Sequence, residues 1–269
     1  MPTFGRAANL DGHLDALWYF LRNSCAWRAL PAEFGPWEAV YQYFNRLSKD
    51  GYFEYLQDLM IIGDTSEAVF IDSTHCKVHQ HSNGPGTPED QAIGKSRGGL
   101  NTKIHMVVDV LGRLAAAMKI TPGNTSDIAV APGLLETLED IAVVGDKGYD
   151  SRELRDTLRA QDCVPCIPAR KNVKNPEAYD VELYRTRHVV ENVFQRLKIY
   201  KRVASRFEKT KRMFSLLCVS SWQPFTPRTS FGRPMSTSLK TRSGISCATG
   251  AAPGASRLLS RDGPGGGGR

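Results

Sequence analysis

Long hydrophobic runs are missing from this 269-residue chain. No stretch approaches the roughly 18 consecutive apolar residues a membrane helix needs, so no bilayer span is expected. Cysteine is sparse: six are scattered along the chain, unlike the paired framework of a small secreted scaffold. The opening MPTFGRAANLDGHLD lacks the basic-then-apolar order of a secretion signal. These absences point to a reduced, cytoplasmic setting without a membrane partner. What the chain does have is 41% hydrophobic residues, enough for one sizeable core plus a smaller appendage.

Charge is unevenly placed. The net charge is +7, yet residues 1–184 carry 18 Lys and Arg against 25 Asp and Glu, an excess of −7. Residues 185–212 carry ten against two, an excess of +8, and residues 221–269 carry seven against one. A cationic block beside acids suits an enzyme of the phosphate backbone, with cations for the polymer and carboxylates for metal. A solvated basic face is the plainer alternative.

The periodicity predicts three N-terminal helices: residues 12–24 with Leu14, Leu17, Trp18 and Leu21; a second opened by Pro36 with Trp37, Val40, Tyr41 and Phe44; and a third near 52–62. They fit either a helix-turn-helix unit or a plain helical bundle. From about residue 67 the texture becomes α/β. AVFIDST reads as a strand ending in Asp72, and the polar, glycine-rich residues 82–101 read as a long loop. Residues 102–110 and 113–121 read as a hairpin turning at Leu111-Gly112, with Asp109 as a hairpin residue. Ser126 or Asp127 would cap a helix to about Leu138, and IAVVGD reads as a buried strand ending in Asp146. Asp150 or Ser151 would start another helix to about Ala160, with Glu153 in its first turn, and CVPCIP is an edge strand. A polar loop over 172–180 would lead into a long helix over about 181–200. The result is a mixed sheet with helices packed on it, and Asp72 and Asp146 at strand ends, where open α/β sheets place their sites.

In that last helix Tyr184, Arg187, Glu191 and Lys198 are spaced by three, four and seven. At about 100° per residue they fall within an arc of roughly 60°, opposite Val189, Val190, Val193 and Leu197. A carboxylate on a packed helix, flanked by cations, suits a metal ligand acting on phosphate. Asp72, Asp146 and Glu191 would repel one another if they converged, and a divalent cation would relieve that. All-oxygen donors suit magnesium, with manganese as substitute, and two such ions about 3.5–4 Å apart can clamp a phosphodiester.

Taken together, AWRALPAEFGPWEAVYQYFNRLSKDG, FIDSTHCKVHQH, IGKSRGGLNTKIHMVVDVLGRL, ITPGNTSD, VVGDKGYDS and ELYRTRHVVENVFQRLKIYKRVASRFEK resemble the DDE insertion-sequence transposases of family five. The last segment holds the Y-x2-R-x3-E-x6-K signature, and the resemblance covers about residues 10–217. It implies a ribonuclease H-like catalytic domain over 64–217, after a helical DNA-binding-like region over 1–63. It implies Asp72, Asp146 and Glu191 as the catalytic, metal-binding triad, and Tyr184, Arg187 and Lys198 as DNA contacts near the cleaved end. Lys95, Arg97, Lys103, Arg196, Lys201 and Arg202 are further candidate DNA contacts. The implied partners are the element's terminal repeats and target DNA, with a homodimer on DNA in a bacterial, nucleoid-associated setting.

The pattern departs from the family after Ser220. Residues 213–221 read as an apolar helix that stops short, and 218–269 as a disordered tail resembling a frameshifted reading. A DNA-binding remnant without catalysis and a nuclease that only hydrolyses are therefore the competing readings. Other motifs carry less. His75, Cys76, His79 and His81 lack a second Cys/His pair with zinc-finger spacing, and Cys163 and Cys166 read as buried thiols. Gly94-Lys95-Ser96 lacks the first glycine and the preceding strand of a nucleotide-binding loop.

Overall fold

The computed structural model describes residues 10–61, 67–82, 87–116, 118–171 and 173–221. The expected tail beyond 221 lies outside them. Three helices open the chain: α1 (Leu10–Asn23), α2 (Trp37–Lys49) directly after Pro36, and α3 (Tyr52–Met60). Their apolar stripes meet in one cluster containing Leu17, Phe20, Val40, Phe44 and Leu47, with Trp27 stacked on Phe20 at 3.7 Å between ring centres.

The sheet and its flanking helices follow in chain order. They are β1 (Ala68–Val78), α4 (Pro88–Gln91), β2 (Gly94–Ser96), β3 (Gly99–Asp109), β4 (Lys119–Pro122), α5 (Asp127–Val130), α6 (Pro132–Leu135), β5 (Ala142–Gly145), α7 (Arg152–Ala160) and β6 (Val164–Cys166). Then come α8 (Val181–Arg185), α9 (His188–Lys198), α10 (Lys201–Ala204), β7 (Ser205–Arg206) and α11 (Lys211–Ser221). The main path runs β2-β3-β1-β5-β6, with β4 added to β3 and β7 to β1. β2, β3 and β1 are antiparallel, while β1, β5 and β6 are parallel. The sheet is therefore mixed, with helices on both faces.

Side chains alternate across each strand, so the sheet builds two cores. Phe70, Cys76, Ile104, Met106, Val108 and Val144 face α9 and α11, meeting Val190, Val193, Phe194, Leu197 and Phe214. Val69, Ile71, Val107 and Val143 face the other way, onto Leu134, Leu135, Leu154, Leu158 and Tyr149. The β3 hairpin turns at Gly112, whose φ of +72° only glycine adopts readily. A Cβ there would stand 3.0 Å from Val193 of α9, so the turn is pressed against the helix. Asp109 holds it by accepting from the amides of Leu111 and Arg113 at 2.9 and 2.8 Å.

Several expectations need correction. Residues 82–101 are not one loop: α4 and β2 form there, and β2 pairs with β3 as an edge hairpin. Gly94 lies in β2 where a Cβ would collide with Asn124. The expected helix from 126 to 138 is two short ones, parted at Pro132, which lacks the amide to continue the first. The expected helix over 181–200 tightens at Thr186 and Arg187, placing Tyr184 on α8 and Glu191 on α9. Residues 213–221 are helical, as expected. They form α11, with Met213 to Val219 all buried, and Met213, Leu216 and Leu217 complete the cluster of the first helices.

Candidate active site

β1 outlasts its expected end. Residues 73–77 continue the pairing with β3, and Lys77 and Val78 pair with β7. Asp72 therefore sits in mid-strand, and what ends beside it is the parallel neighbour. Ile71 registers with Gly145, the last residue of β5, so Asp72 and Asp146 stand side by side where β5 stops. Asp72 shares the strand face of Phe70, and Asp146 that of Val144, so both lie on the side that α9 covers.

Backbone amides fix the two carboxylates. Asp72 Oδ1 accepts from the Ser73 amide at 2.7 Å, and Asp146 Oδ1 accepts from the Gly148 amide at 2.7 Å while capping a short helical turn. Arg187 spans the remaining gap. Its Nη1 donates to Asp72 Oδ2 at 2.8 Å and its Nη2 donates to Glu191 Oε1. Tyr184 packs edge-on against Tyr179 at 5.5 Å, and Lys198 Nζ donates to Thr74 Oγ1 at 2.6 Å. The signature stripe thus lies against β1.

Burial pushes the Asp72 carboxyl up to about 6, and the charge of Asp146 adds to that; the Ser73 amide and Arg187 pull the other way. Two neighbouring, half-buried acids favour a further positive charge, and their all-oxygen donor set fits a hard divalent cation. Arg187 bridges two of the three expected carboxylates, Asp72 and Glu191. Among the described residues no three acidic, His or Cys side chains stand close enough together to share one ion.

The other candidate DNA contacts divide. Lys95 on β2, Arg97 in the β2–β3 turn, Arg196 and Lys201 are exposed. Lys103 is not on that surface: it is buried on the opposite sheet face, where its Nζ donates to Asp127 and to the Thr125 carbonyl, both at 2.9 Å. Arg202 is also internal. It donates to Glu208 through Nε and Nη2 and to the Cys25 carbonyl through Nη1, and its guanidinium lies 4.3 Å from the Phe20 ring centre. Neither is placed to meet DNA.

Other polar residues lie outside the expected set. Behind Asp72, Ser73 Oγ donates to Asp127 Oδ1 at 2.7 Å, and His105 lies 3.6 Å from the same oxygen. The alternation Lys103, His105 in β3 was the available sign, although such alternation ordinarily marks a solvent face. Arg206, fully buried, donates to Thr102 Oγ1 at 2.7 Å and to the Ala92 carbonyl at 3.2 Å. His75 and Cys76 fall on opposite faces of β1, the cysteine wholly buried. Asp150 is no helix cap, since it accepts from Arg155 at 2.9 Å and from the Arg170 amide at 2.8 Å.

The site thus sets two acids side by side where β5 stops and a third carboxylate on the helix that covers them. Two family models match this chain: Transposase DDE domain over residues 63–177, and a family described as transposases of the IS4/5 family over residues 2–57. A protein of Brucella ovis named as a transposase for insertion sequence element IS6501 is 36% identical over 132 residues, 46% of this chain and 98% of its own length. The chain belongs to the DDE insertion-sequence transposases. Among solved structures, the piggyBac transposase synaptic complex with hairpin DNA is similar at 12% identity and a TM-score of 0.48, over 78% of this chain and 61% of that one. The Mos1 strand transfer complex is similar at 14% identity and a TM-score of 0.33, over 82% and 72%. No helix among the described residues is long and apolar enough to cross a membrane.

Proposed function

We propose that this transposase cleaves DNA at the ends of its mobile element and joins the freed 3′-hydroxyl to target DNA, with Asp72, Asp146 and Glu191 as the metal-holding acids. The observation that carries this reading is that Asp72 and Asp146 directly follow the registered residues Ile71 and Gly145 of adjacent parallel strands, beneath the helix bearing Glu191. Bound magnesium, or manganese in its place, would supply an activated water or 3′-hydroxyl and a neutralised leaving oxygen.

The chain's own residues do the rest. The Ser73 and Gly148 amides hold the two aspartates in fixed orientation, so little rearrangement is needed when charge develops. Arg187 neutralises Asp72 and Glu191, and its planar fork matches a phosphate equally well. Lys198, beside Thr74, grips a phosphate further along β1, and Tyr184 positions a phosphate or stacks on a base. Lys95, Arg97, Arg196 and Lys201 add backbone contacts whose strength falls with salt. The first three helices contribute DNA binding. Two ends must be brought together, so two copies act on DNA, at the bacterial nucleoid.

The test is a supercoiled plasmid bearing the element's ends. Asp72→Ala should abolish magnesium-dependent cleavage while DNA binding, followed by gel shift, persists. Full cleavage by that variant would overturn the assignment. Free ends without joined products from the unaltered chain would reduce the activity to hydrolysis.

A further inference from the structure

Beside Asp146 an open cleft of about 380 Å³ is lined by Asp146, Lys147, Gly148, Arg170 and Lys171. Its cations come from distant segments. Lys147 follows β5, whereas Arg170 and Lys171 follow β6, and the parallel pairing of β5 with β6 brings them together.

The cleft has a braced wall. Arg170 Nε donates to the Lys147 carbonyl at 3.1 Å and Nη2 to the Gly148 carbonyl at 2.9 Å, so its guanidinium is tied to the turn that follows Asp146. Its own amide is held by Asp150, which is held in turn by Arg155, a buried guanidinium that also donates to the Ile167 carbonyl at 2.7 Å. Burial alone would raise the Asp150 carboxyl, but hydrogen bonds from the Arg170 amide and Arg155 outweigh it and keep it below the usual carboxylate range. A guanidinium whose direction is set beforehand loses less freedom on meeting an anion. Lys147 and Lys171 are exposed and have no ion-pair partner among the described residues. Positive charge therefore exceeds negative in the cleft, three to one.

We propose that this cleft binds a backbone phosphate of the DNA strand, on the Asp146 side of the phosphate being cut. A small free anion would meet the three cations but also the Asp146 charge, with no chain to hold it in place. A phosphodiester is carried in by its neighbours along the strand, and the cleft is open enough for a polymer to pass. Arg187 and Lys198 against β1 and this basic cleft beyond β5 then track one strand across the two aspartates. The assignment rests on the transposase reading for the identity of the polymer.

The full chain with Lys147→Gln and Lys171→Gln tests it, since both side chains are exposed and their loss leaves the Arg155–Asp150–Arg170 brace intact. Fluorescence anisotropy with a short duplex of random sequence, in EDTA, reads the fall of affinity with salt. Losing the phosphate held by the cleft should make the slope of log K against log salt shallower by about 0.9. Arg152→Gln with Arg159→Gln, an equal charge loss on α7, should leave the slope unchanged. An unchanged slope in the lysine variant, or an equal drop in the α7 variant, overturns the cleft. EDTA removes cleavage from the measurement, so the cleft can stand if the plasmid assay fails, and fall if that assay succeeds.

Discussion

Replacing Glu208 with glutamine separates a structural cation from a DNA-binding one. Glu208 Oε1 lies 3.0 Å from Arg202 Nε and 2.8 Å from Nη2, with side-chain exposures of 2% for the acid and 9% for the arginine. The guanidinium also holds the Cys25 carbonyl at 2.9 Å and lies between the Phe20 and Phe207 rings, at 4.3 and 5.1 Å. Glutamine keeps the shape and one accepting oxygen but leaves a buried cation unpaired. Breaking such a pair costs about 3–5 kcal/mol, and the retained acceptor points to about 3. With a urea m-value of about 2–3 kcal/mol/M, the unfolding midpoint should fall by roughly 1–1.5 M. Replacing both partners with leucine should cost much less than the single change, because no charge is then stranded. A midpoint for Glu208→Gln within about 0.2 M of the unaltered chain would refute the argument, since it would mean that Arg202 finds water and is available to phosphate.

Two further outcomes follow from the cores. Burial pushes His105 from the ordinary 6.5 down to about 4, against the pull of Asp127. With the folded value depressed, the stability from keeping the ring neutral is complete above pH 6.5 and is lost as pH falls through 4, up to about 3 kcal/mol. Urea midpoints taken from pH 7 to pH 4 should therefore drop less in His105→Asn than in the unaltered chain, and parallel curves would contradict this. Leu197, 2% exposed beneath α9, should cost about 2–5 kcal/mol on change to alanine, a loss of about 4–20 °C in melting temperature by calorimetry. A loss below about 1 kcal/mol would show that α9 is not seated on the sheet as described.

The residues that read clearly were those whose partners are local or periodic. The β-branched run before Asp72, the AVVG strand before Asp146 and the apolar stripe of α9 each declare an element within ten or so residues, and the Tyr184–Lys198 spacing declares a shared face. The polar half of β1 did not read as strand, because STHCKV is held by pairing with β3 and β7 rather than by its own composition. Lys103 looked like a surface cation because nothing near it in sequence announces Asp127, which arrives with α5. Charge counting likewise merged two kinds of arginine in residues 185–212. Arg202 finds Cys25, and Arg206 finds Thr102, across more than a hundred residues in each case. The Arg187 bridge was half legible: its step of four to Glu191 is helical spacing, whereas its bond to Asp72 depends on how α9 lies across the sheet.

The cluster that joins Phe20, Phe44 and Leu47 to Met213, Leu216 and Leu217 has a consequence for how the chain is made. During synthesis the opening helices leave the ribosome long before their last partner exists. Their greasy sides must wait, uncovered, for nearly the whole α/β region to emerge, the kind of late, long-range closure that slows folding and invites chaperones or sticking.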